Sequence, residues 1–232
     1  MLETEEQKAV DIDESALTRA AEQLERKLKD FGIYGRVVEI HPGPVITMFE
    51  FEPAAGVKVS KISSLVEDLK MAMRARSVRI IAPIPGKGTV GVEIPNDDRE
   101  VVYLKDILSH SVYTSKKTKL PLALGKATAG KPVAADLTKM PHLLIAGTTG
   151  SGKSVSVNSM LLSMLYRSPP ENLRLLMIDP KMLEFSTYAD IPHLLFPVIT
   201  DPKKASVALK WAVMEMERRY RLLADVGARN IA

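Results

Sequence analysis

The residues best suited to chemistry form one loop, Gly147-Thr148-Thr149-Gly150-Ser151-Gly152-Lys153-Ser154, with the spacing G-x-x-x-x-G-K-[ST]. Its glycines let successive backbone N–H groups turn towards phosphate oxygens. Lys153 places a cation on the β- and γ-phosphates, and the Ser154 hydroxyl is a ligand for Mg²⁺. The loop therefore predicts a nucleotide and Mg²⁺ site in which Lys153 and Ser154 take the catalytic roles.

The segments on either side of this loop are those that a phosphate-binding loop requires. His142–Ala146 is a short apolar run typical of a buried parallel strand, and Val155–Tyr166 favours a helix. A helix that begins near Lys153 adds the positive end of its dipole to the site. The alternative is an ordinary Gly/Ser turn between a strand and a helix, which the spacing and both flanks disfavour.

Hydrolysis also needs an acidic residue on the metal and a group that positions water. Asp179 ends the apolar run Leu175–Ile178 and is the candidate for a second Mg²⁺-site residue. It is followed by Pro180-Lys181 and not by glutamate, so a role at the sheet end or in a subunit contact stays open. The one Asp-Glu pair of the chain, Asp13-Glu14, has no apolar strand before it.

Composition excludes several classes of protein. The 232 residues contain no cysteine, which rules out disulfides and thiolate metal sites and fits a reducing cytosolic compartment. No apolar run approaches the ~20 residues of a membrane span, and the polar, acidic N-terminus is unlike a signal peptide. The net charge of +4 is compatible with nucleic acid without arguing for it, because both signs are interleaved.

Several other residues have two interpretations each. An arginine finger or a solvated helix face fits Arg218, Arg219 and Arg221. Contacts to DNA phosphates or a solvated linker fit Lys116, Lys117 and Lys119. No metal cluster is expected, because no metal-ligand spacing connects the histidines His41, His110, His142 and His193. Core positions at helical spacing are expected for Met160 and Met164.

Hydrophobic periodicity predicts a small N-terminal module. Residues 1–12 are polar and are expected to be a disordered tail, whereas residues 13–109 follow the order α-β-β-α-β-β. The predicted helices are Asp13–Phe31 and Ser60–Arg74. The predicted strands form two pairs, Arg36–Ile40 with Val45–Phe51 and Val78–Ala82 with Val90–Ile94.

Residues 110–120 are predicted to be a linker, and residues 121–232 the N-terminal part of a P-loop domain. Its further strands are predicted at Pro121–Leu124, Pro132–Leu137 and Leu173–Ile178. A last helix has Asp201 as its N-cap and Pro202 at its first position. The apolar stripe of this helix consists of Ala205, Leu209, Ala212, Met216, Tyr220 and Leu223. Alternating strands and helices predict the parallel sheet of an α/β fold.

Additional sequence segments narrow the choice of protein family. They are Leu122-Ala123-Leu124-Gly125-Lys126, Ala134-Ala135-Asp136-Leu137, Met140-Pro141-His142 before the loop, Asp179-Pro180-Lys181, and Glu217-Arg218-Arg219-Tyr220. Over about residues 10–232 the chain resembles the FtsK/SpoIIIE family of bacterial DNA translocases. The resemblance implies an α/β chain, with a family α subdomain followed by a truncated, RecA-like, parallel-sheet P-loop domain.

The resemblance also implies a function. Members of this family are hexameric ring motors that use ATP to move double-stranded DNA in chromosome segregation and cell division. They act on the cytoplasmic side of the membrane and are usually anchored in the inner membrane. Here Gly147 to Ser154 correspond to the ATP site, with Mg²⁺ as its metal.

The Walker B Asp-Glu pair, the pore loops and the winged-helix end of the family are expected beyond Ala232. The chain is therefore expected to be a fragment with an incomplete sheet, unable to hydrolyse ATP alone. Two hypotheses follow, a piece of an ATP-driven DNA motor or a non-hydrolysing nucleotide-binding and assembly module. A related motor, such as a conjugation coupling protein or a secretion ATPase, is the competing parent.

Overall fold

The computed structural model describes residues 14–115 and 117–229, so the predicted tail at residues 1–12 and Lys116 lie outside the described residues. The chain divides into two compact units, Met1–Leu144 and Ile145–Ala232. The domain boundaries proposed from the sequence, at residues 109 and 120, stay predictions.

Helix α1 (Glu14–Asp30) supplies one side of the core of the first unit. Apolar residues three or four positions apart place Ala21, Leu24 and Leu28 on one buried face. The chain leaves the helix at Gly32, whose φ of 70° glycine adopts without the steric cost of a Cβ. This helix confirms the N-terminal helix predicted from periodicity.

A four-stranded antiparallel sheet supplies the other side of that core. Its strands, in the spatial order β1-β2-β4-β3, are β1 (Gly35–His41), β2 (Ile46–Pro53), β3 (Arg79–Ile81) and β4 (Val90–Pro95). Phe51 lies opposite Val90 and Phe49 opposite Val92, and all four side chains are buried. Both predicted strand pairs are confirmed, and the β2–β4 pairing joins them into one sheet.

The second predicted helix is divided in two. Helix α2 (Val59–Ser63) and helix α3 (Val66–Ala72) replace the single helix expected over Ser60–Arg74. The hydroxyl of Ser63 donates to the Val59 carbonyl and that of Ser64 to the Lys61 carbonyl. Serine hydroxyls that compete for backbone partners weaken a helix at such a point.

Residues 104–136 form a smaller cluster in the first unit. Helix α4 (Leu104–Ser109) and helix α5 (Ser111–Thr114) are followed by the antiparallel strands β5 (Pro121–Lys126) and β6 (Pro132–Asp136). The two short strands predicted here are confirmed. The buried side chains of these residues include Ile107, Tyr113, Leu122 and Ala123, so the segment expected to be a linker contains a short helix with a buried tyrosine.

Glu50 on β2 is a buried carboxylate with partners from other elements. Lys87 donates to its Oε2 at 2.6 Å, and the Thr89 hydroxyl donates to its Oε1 at 2.7 Å. The hydrogen bond from Lys87, followed by that from Thr89, lowers the pKa of Glu50 from 4.5 to about 2, although burial opposes this shift. Glu50 is therefore a buried carboxylate that stays charged mainly because Lys87 donates a hydrogen bond to it.

A histidine, His41, lies beside Glu50, although the spacing of the histidines in the sequence predicted no metal-ligand partners for it. His41 Nε2 lies 3.4 Å from Glu39 Oε2 and 3.4 Å from Glu50 Oε2. The three potential ligand atoms lie within 4.8 Å of one another. Lys87 Nζ lies 2.6 Å from Glu50 and 3.4 Å from Glu39, so an ammonium group of the chain itself balances these carboxylates.

Two long helices dominate the described part of the second unit. Helix α6 (Lys153–Arg167) confirms the helix predicted after the glycine loop, and it buries Met164 and half-buries Met160. Helix α7 (Pro202–Asp225) begins as predicted. The Asp201 carboxylate accepts from the Lys204 N–H at 2.8 Å, and Pro202 occupies the first turn.

The parallel sheet expected for residues 121–232 is not confirmed. The sheets formed by the described residues are antiparallel, and neither His142–Ala146 nor Leu173–Ile178 forms a strand. Parallel pairing is limited to isolated bridges of Leu175 with Leu194 and of Ile178 with Ile199. A parallel strand is stable when neighbours and helices cover it on all sides, and Leu144 is 89% exposed here.

Helix α7 leaves most of its apolar stripe exposed. Among the predicted stripe residues, Leu209, Met216 and Tyr220 are exposed, whereas the buried residue of the helix is Ala208. Trp211 makes an edge-to-face contact with Phe196, with ring centroids 5.4 Å apart. Within residues 14–115 and 117–229, no helix combines the length and the apolar character needed to cross a bilayer.

Replacing Lys87 with Met should destabilise the first unit, because the buried Glu50 carboxylate loses its main partner. The depressed pKa of Glu50 stabilises the wild type above pH 4.5, and this contribution disappears as the pH falls to about 2. The difference in denaturation midpoint between variant and wild type should therefore be largest near neutral pH. It should vanish as the pH falls to about 2.

The matched control is Lys70→Met, which breaks an exposed helix pair with Glu67 and should change the midpoint little. Denaturation curves of both variants along a pH series make the comparison. A Lys87→Met effect of the same size at all pH values would contradict this account of Glu50.

Candidate nucleotide-binding site

The glycine loop is shaped by backbone conformations that side chains disfavour. Gly150 has a φ of 80° and Gly152, which precedes the first residue of α6, a φ of 86°. A Cβ on Gly147 would lie 2.3 Å from Ser151 Oγ, so a side chain there would displace Ser151. The Ser151 N–H donates to the Thr148 carbonyl at 3.0 Å and closes the turn. These positions explain why glycine occurs at the spacing seen in the sequence.

Lys153 and Ser154 follow this turn as the first two residues of α6. The first-turn N–H groups of a helix lack intrahelical acceptors, and the helix dipole favours anions at this end. The Lys153 side chain is 43% exposed and can therefore meet a ligand from solvent. The structure thus brings the two predicted catalytic residues, a cation and a hydroxyl, to an anion-favouring helix start.

Glu184 is a residue of this site that the sequence patterns did not indicate. Its Oε1 accepts a hydrogen bond from Ser154 Oγ at 2.8 Å and lies 3.6 Å from Lys153 Nζ. It is distant from the glycine loop in sequence and belongs to none of the motifs described above. One feature of the sequence could have indicated it. Glu184 follows an apolar segment that could form a parallel strand, and ligands of α/β folds bind at the ends of such strands.

Asp179, the predicted second metal residue, is engaged with backbone N–H groups. Its Oδ2 accepts from the N–H of Glu184 at 2.9 Å and of Phe185 at 3.1 Å, and its Oδ1 from that of Lys181 at 3.2 Å. These bonds, led by the one from Glu184, lower the pKa of Asp179 against the effect of its burial. Asp179 thus folds the loop that carries Glu184, and its role as a metal ligand stays a prediction.

A second contact attaches the loop to α6. The hydroxyl of the buried Tyr188 donates to Asn158 Oδ1 at 2.8 Å, and burial raises the pKa of that tyrosine. Phe185 packs edge-on against Tyr188, with ring centroids 6.3 Å apart. The loop is therefore fixed at both ends, by Asp179 before Glu184 and by Tyr188 after it.

The remaining candidates lie away from these contacts. Arg218 donates to Glu215 at 2.7 and 2.8 Å, and Arg219 to the same carboxylate at 2.7 Å. The hydrogen bonds from Arg218 and then Arg219 lower the pKa of Glu215 to about 2. Both arginines are about 60% exposed, which fits the solvated helix face better than an arginine finger. Lys117 and Lys119 are exposed, as either interpretation of that segment requires.

The other histidines have local structural contacts or lie at the surface. His110 accepts from the Val112 N–H and caps α5, and His193 Nε2 lies 2.9 Å from the Ser168 carbonyl. His142 is exposed. Among the described residues, His41 is therefore the histidine that the fold brings to carboxylates.

Comparison with known proteins assigns the family. Residues 103–232 match the FtsK/SpoIIIE family, and residues 1–96 match the FtsK alpha domain. The chain belongs to the FtsK/SpoIIIE family. The resemblance drawn from the sequence motifs is thereby confirmed.

Two FtsK relatives illustrate the extent of this similarity. DNA translocase FtsK of Pseudomonas aeruginosa is 56% identical over 232 residues, which are 100% of this chain and 29% of the relative. DNA translocase FtsK of Campylobacter jejuni subsp. jejuni is 58% identical over 221 residues, 95% of this chain and 23% of the relative. The chain thus spans less than a third of the length of either relative.

A solved structure also aligns with the chain at a low level. It is the pCW3 conjugation coupling protein TcpA, monomer form with ATPgS, with a TM-score of 0.48 and 20% identity. The alignment covers 92% of this chain and 59% of that protein. Similarity this low carries no conclusion about the site.

Replacing Asp179 with Ala should loosen the loop that carries Glu184. Amide exchange at Glu184 and Phe185 should accelerate by at least about tenfold, the effect expected when charge-assisted hydrogen bonds are lost. Asp190→Ala, which removes an exposed carboxylate of the same unit, is the control and should leave both amides unchanged. Equal exchange rates in Asp179→Ala and wild type would refute the loop-folding role.

Proposed function

We propose that this chain is the ATP-binding part of a motor that uses ATP to move double-stranded DNA. The observation that supports this proposal most strongly is the glycine loop, which presents Lys153 and Ser154 at the start of α6 in a chain of the FtsK/SpoIIIE family. Relatives 56–58% identical to the chain carry the name DNA translocase. The proposed role of the intact protein is in chromosome segregation and cell division.

The residues present fit a triphosphate with Mg²⁺. The loop has the tight glycine turns that let backbone N–H groups approach phosphate, and Lys153 adds a positive charge beside the helix start. Mg²⁺ prefers oxygen ligands, and Ser154 would provide one. Asp179, which folds the neighbouring loop, is the second proposed metal residue. When bound, the metal would neutralise charge that develops on the phosphates.

Binding without turnover is the proposed behaviour of the chain alone. No apolar segment of its sequence is followed by an Asp-Glu pair that could position both metal and water. The glycine loop and the start of α6 bind and orient the nucleotide. A non-hydrolysing nucleotide-binding and assembly module, the alternative function, would use the same loop in the same way.

The proposed partners follow from the family. Double-stranded DNA is the proposed substrate of the intact protein, which would assemble as a hexameric ring on the cytoplasmic side of an inner membrane. Contacts from this chain would be to phosphates, through exposed lysines such as Lys117 and Lys119. Its mixed charge favours binding without sequence preference.

The loop assignment predicts that stabilisation by nucleotide depends on Lys153. Mg-ATP at 100 times its dissociation constant should stabilise the native state by about 2.7 kcal/mol. For a chain of this size, the melting temperature should rise by roughly 5–10 °C. Lys153→Ala should abolish the rise, because the phosphates lose their cation.

Lys203→Ala is the matched control, since it removes an exposed lysine from the first turn of α7. Thermal unfolding of the three proteins, with and without Mg-ATP, gives the answer. A rise in Lys153→Ala equal to that in wild type would exclude this loop as the ATP site.

A further inference from the structure

We infer that Glu184 is a positioning residue of the nucleotide site, which orients Ser154 and Lys153 for a nucleotide bound with Mg²⁺. This inference rests on the proposed function and deepens it. Its basis is a single carboxylate oxygen, Glu184 Oε1, which contacts both side chains at 2.8 and 3.6 Å. The sequence motif of the loop includes neither Glu184 nor its neighbours.

The contact to Ser154 fixes the direction of a hydroxyl hydrogen. A serine hydroxyl has one hydrogen to donate and two lone pairs. Ser154 directs that hydrogen to Glu184, so the lone pairs of Oγ remain open to a cation. Without the acceptor, the hydroxyl would turn freely before the cation binds, and binding would have to fix its orientation. Glu184 thus selects the orientation of Ser154 that suits Mg²⁺.

The contact to Lys153 restrains a long side chain. An ammonium group has three N–H donors, so an ion pair with Glu184 leaves others for phosphate oxygens. A lysine side chain has many rotamers, so fixing it when a ligand binds costs conformational entropy. A partner near the site already restricts those rotamers and reduces this cost. Glu184 therefore holds the cation close to the loop before the nucleotide arrives.

The position of Glu184 is itself determined by its loop. Asp179 accepts from the Glu184 N–H, and Tyr188 attaches the next turn to Asn158 of α6. The side chain of Glu184 is 29% exposed, which leaves it accessible from the solvent side of the site. Because the loop is fixed both before and after Glu184, its carboxylate is held in one place and is suited to orient Ser154 and Lys153.

A carboxylate at this place could act in the opposite sense, as a competitor of the phosphates for Lys153. The two roles differ in their dependence on Mg²⁺. A positioning residue increases the gain in affinity that Mg²⁺ brings, whereas a competitor weakens nucleotide binding whether or not Mg²⁺ is present. Affinities measured with and without the metal therefore distinguish them.

The experiment uses the chain as it is and N-methylanthraniloyl-ATP as the probe. Fluorescence titrations give its dissociation constant in excess Mg²⁺ and in EDTA, and the ratio of the two measures the gain from the metal. Glu184→Ala should reduce this gain by about tenfold or more, as outer-shell partners of metal ligands do. Its affinity in EDTA should weaken by no more than about threefold, because Lys153 is retained and loses only the restraint on its side chain.

Four further variants, one of them a double variant, make the result specific. Glu184→Gln keeps an oxygen that can accept from Ser154 and should show an intermediate gain, and it serves if Glu184→Ala fails to fold. Ser154→Ala should lose the gain, and adding Glu184→Ala to it should reduce the gain no further, because both changes remove one interaction. Glu171→Ala removes an exposed carboxylate of the same unit and should behave as wild type.

The outcomes separate the inference from the function on which it rests. A wild-type gain in Glu184→Ala, or tighter binding of that variant in EDTA, overturns the positioning role while ATP binding stands. Binding by Lys153→Ala that equals wild type, or no binding by wild type, overturns the proposed function and this inference with it. The predicted loss of gain, confined to Glu184 and Ser154 variants, supports the inference.

Discussion

The buried carboxylate of Asp179 is the interaction on which the geometry of the nucleotide site depends. It accepts N–H groups of Lys181, Glu184 and Phe185, and so closes the loop that follows the Leu175–Ile178 segment. A buried charge is stable only when such donors replace water. The consequence of this local requirement is that Glu184 lies against Ser154, a residue 30 positions earlier in the chain.

The first unit uses the same principle at a different place. Glu50 is buried between strands and kept charged by Lys87 and Thr89, with His41 nearby. Its neighbours in space come from β1 and from the β3–β4 connection, so this cluster exists only once the sheet has formed. In both units a buried carboxylate ties together segments that are separate in sequence.

Features decided by neighbouring residues were predictable from the sequence. The glycine loop, the Asp201 cap with Pro202 and the amphipathic face of α1 depend on residues within a few positions of one another. Features that depend on distant partners were not. The parallel sheet needs neighbours for the apolar segment Leu173–Ile178, and no pattern in the sequence indicated that Glu184 would meet Ser154 or that His41 would meet Glu50.

The central claim is that the loop of Asp179 and Glu184 and the glycine loop act as one nucleotide site. Hydrogen–deuterium exchange measured by mass spectrometry, with and without Mg-ATP, tests it most directly. Peptides covering residues 147–154 and 179–188 should become protected together in wild type, and neither should in Lys153→Ala. Protection of residues 147–154 with no change at residues 179–188 would contradict the claim.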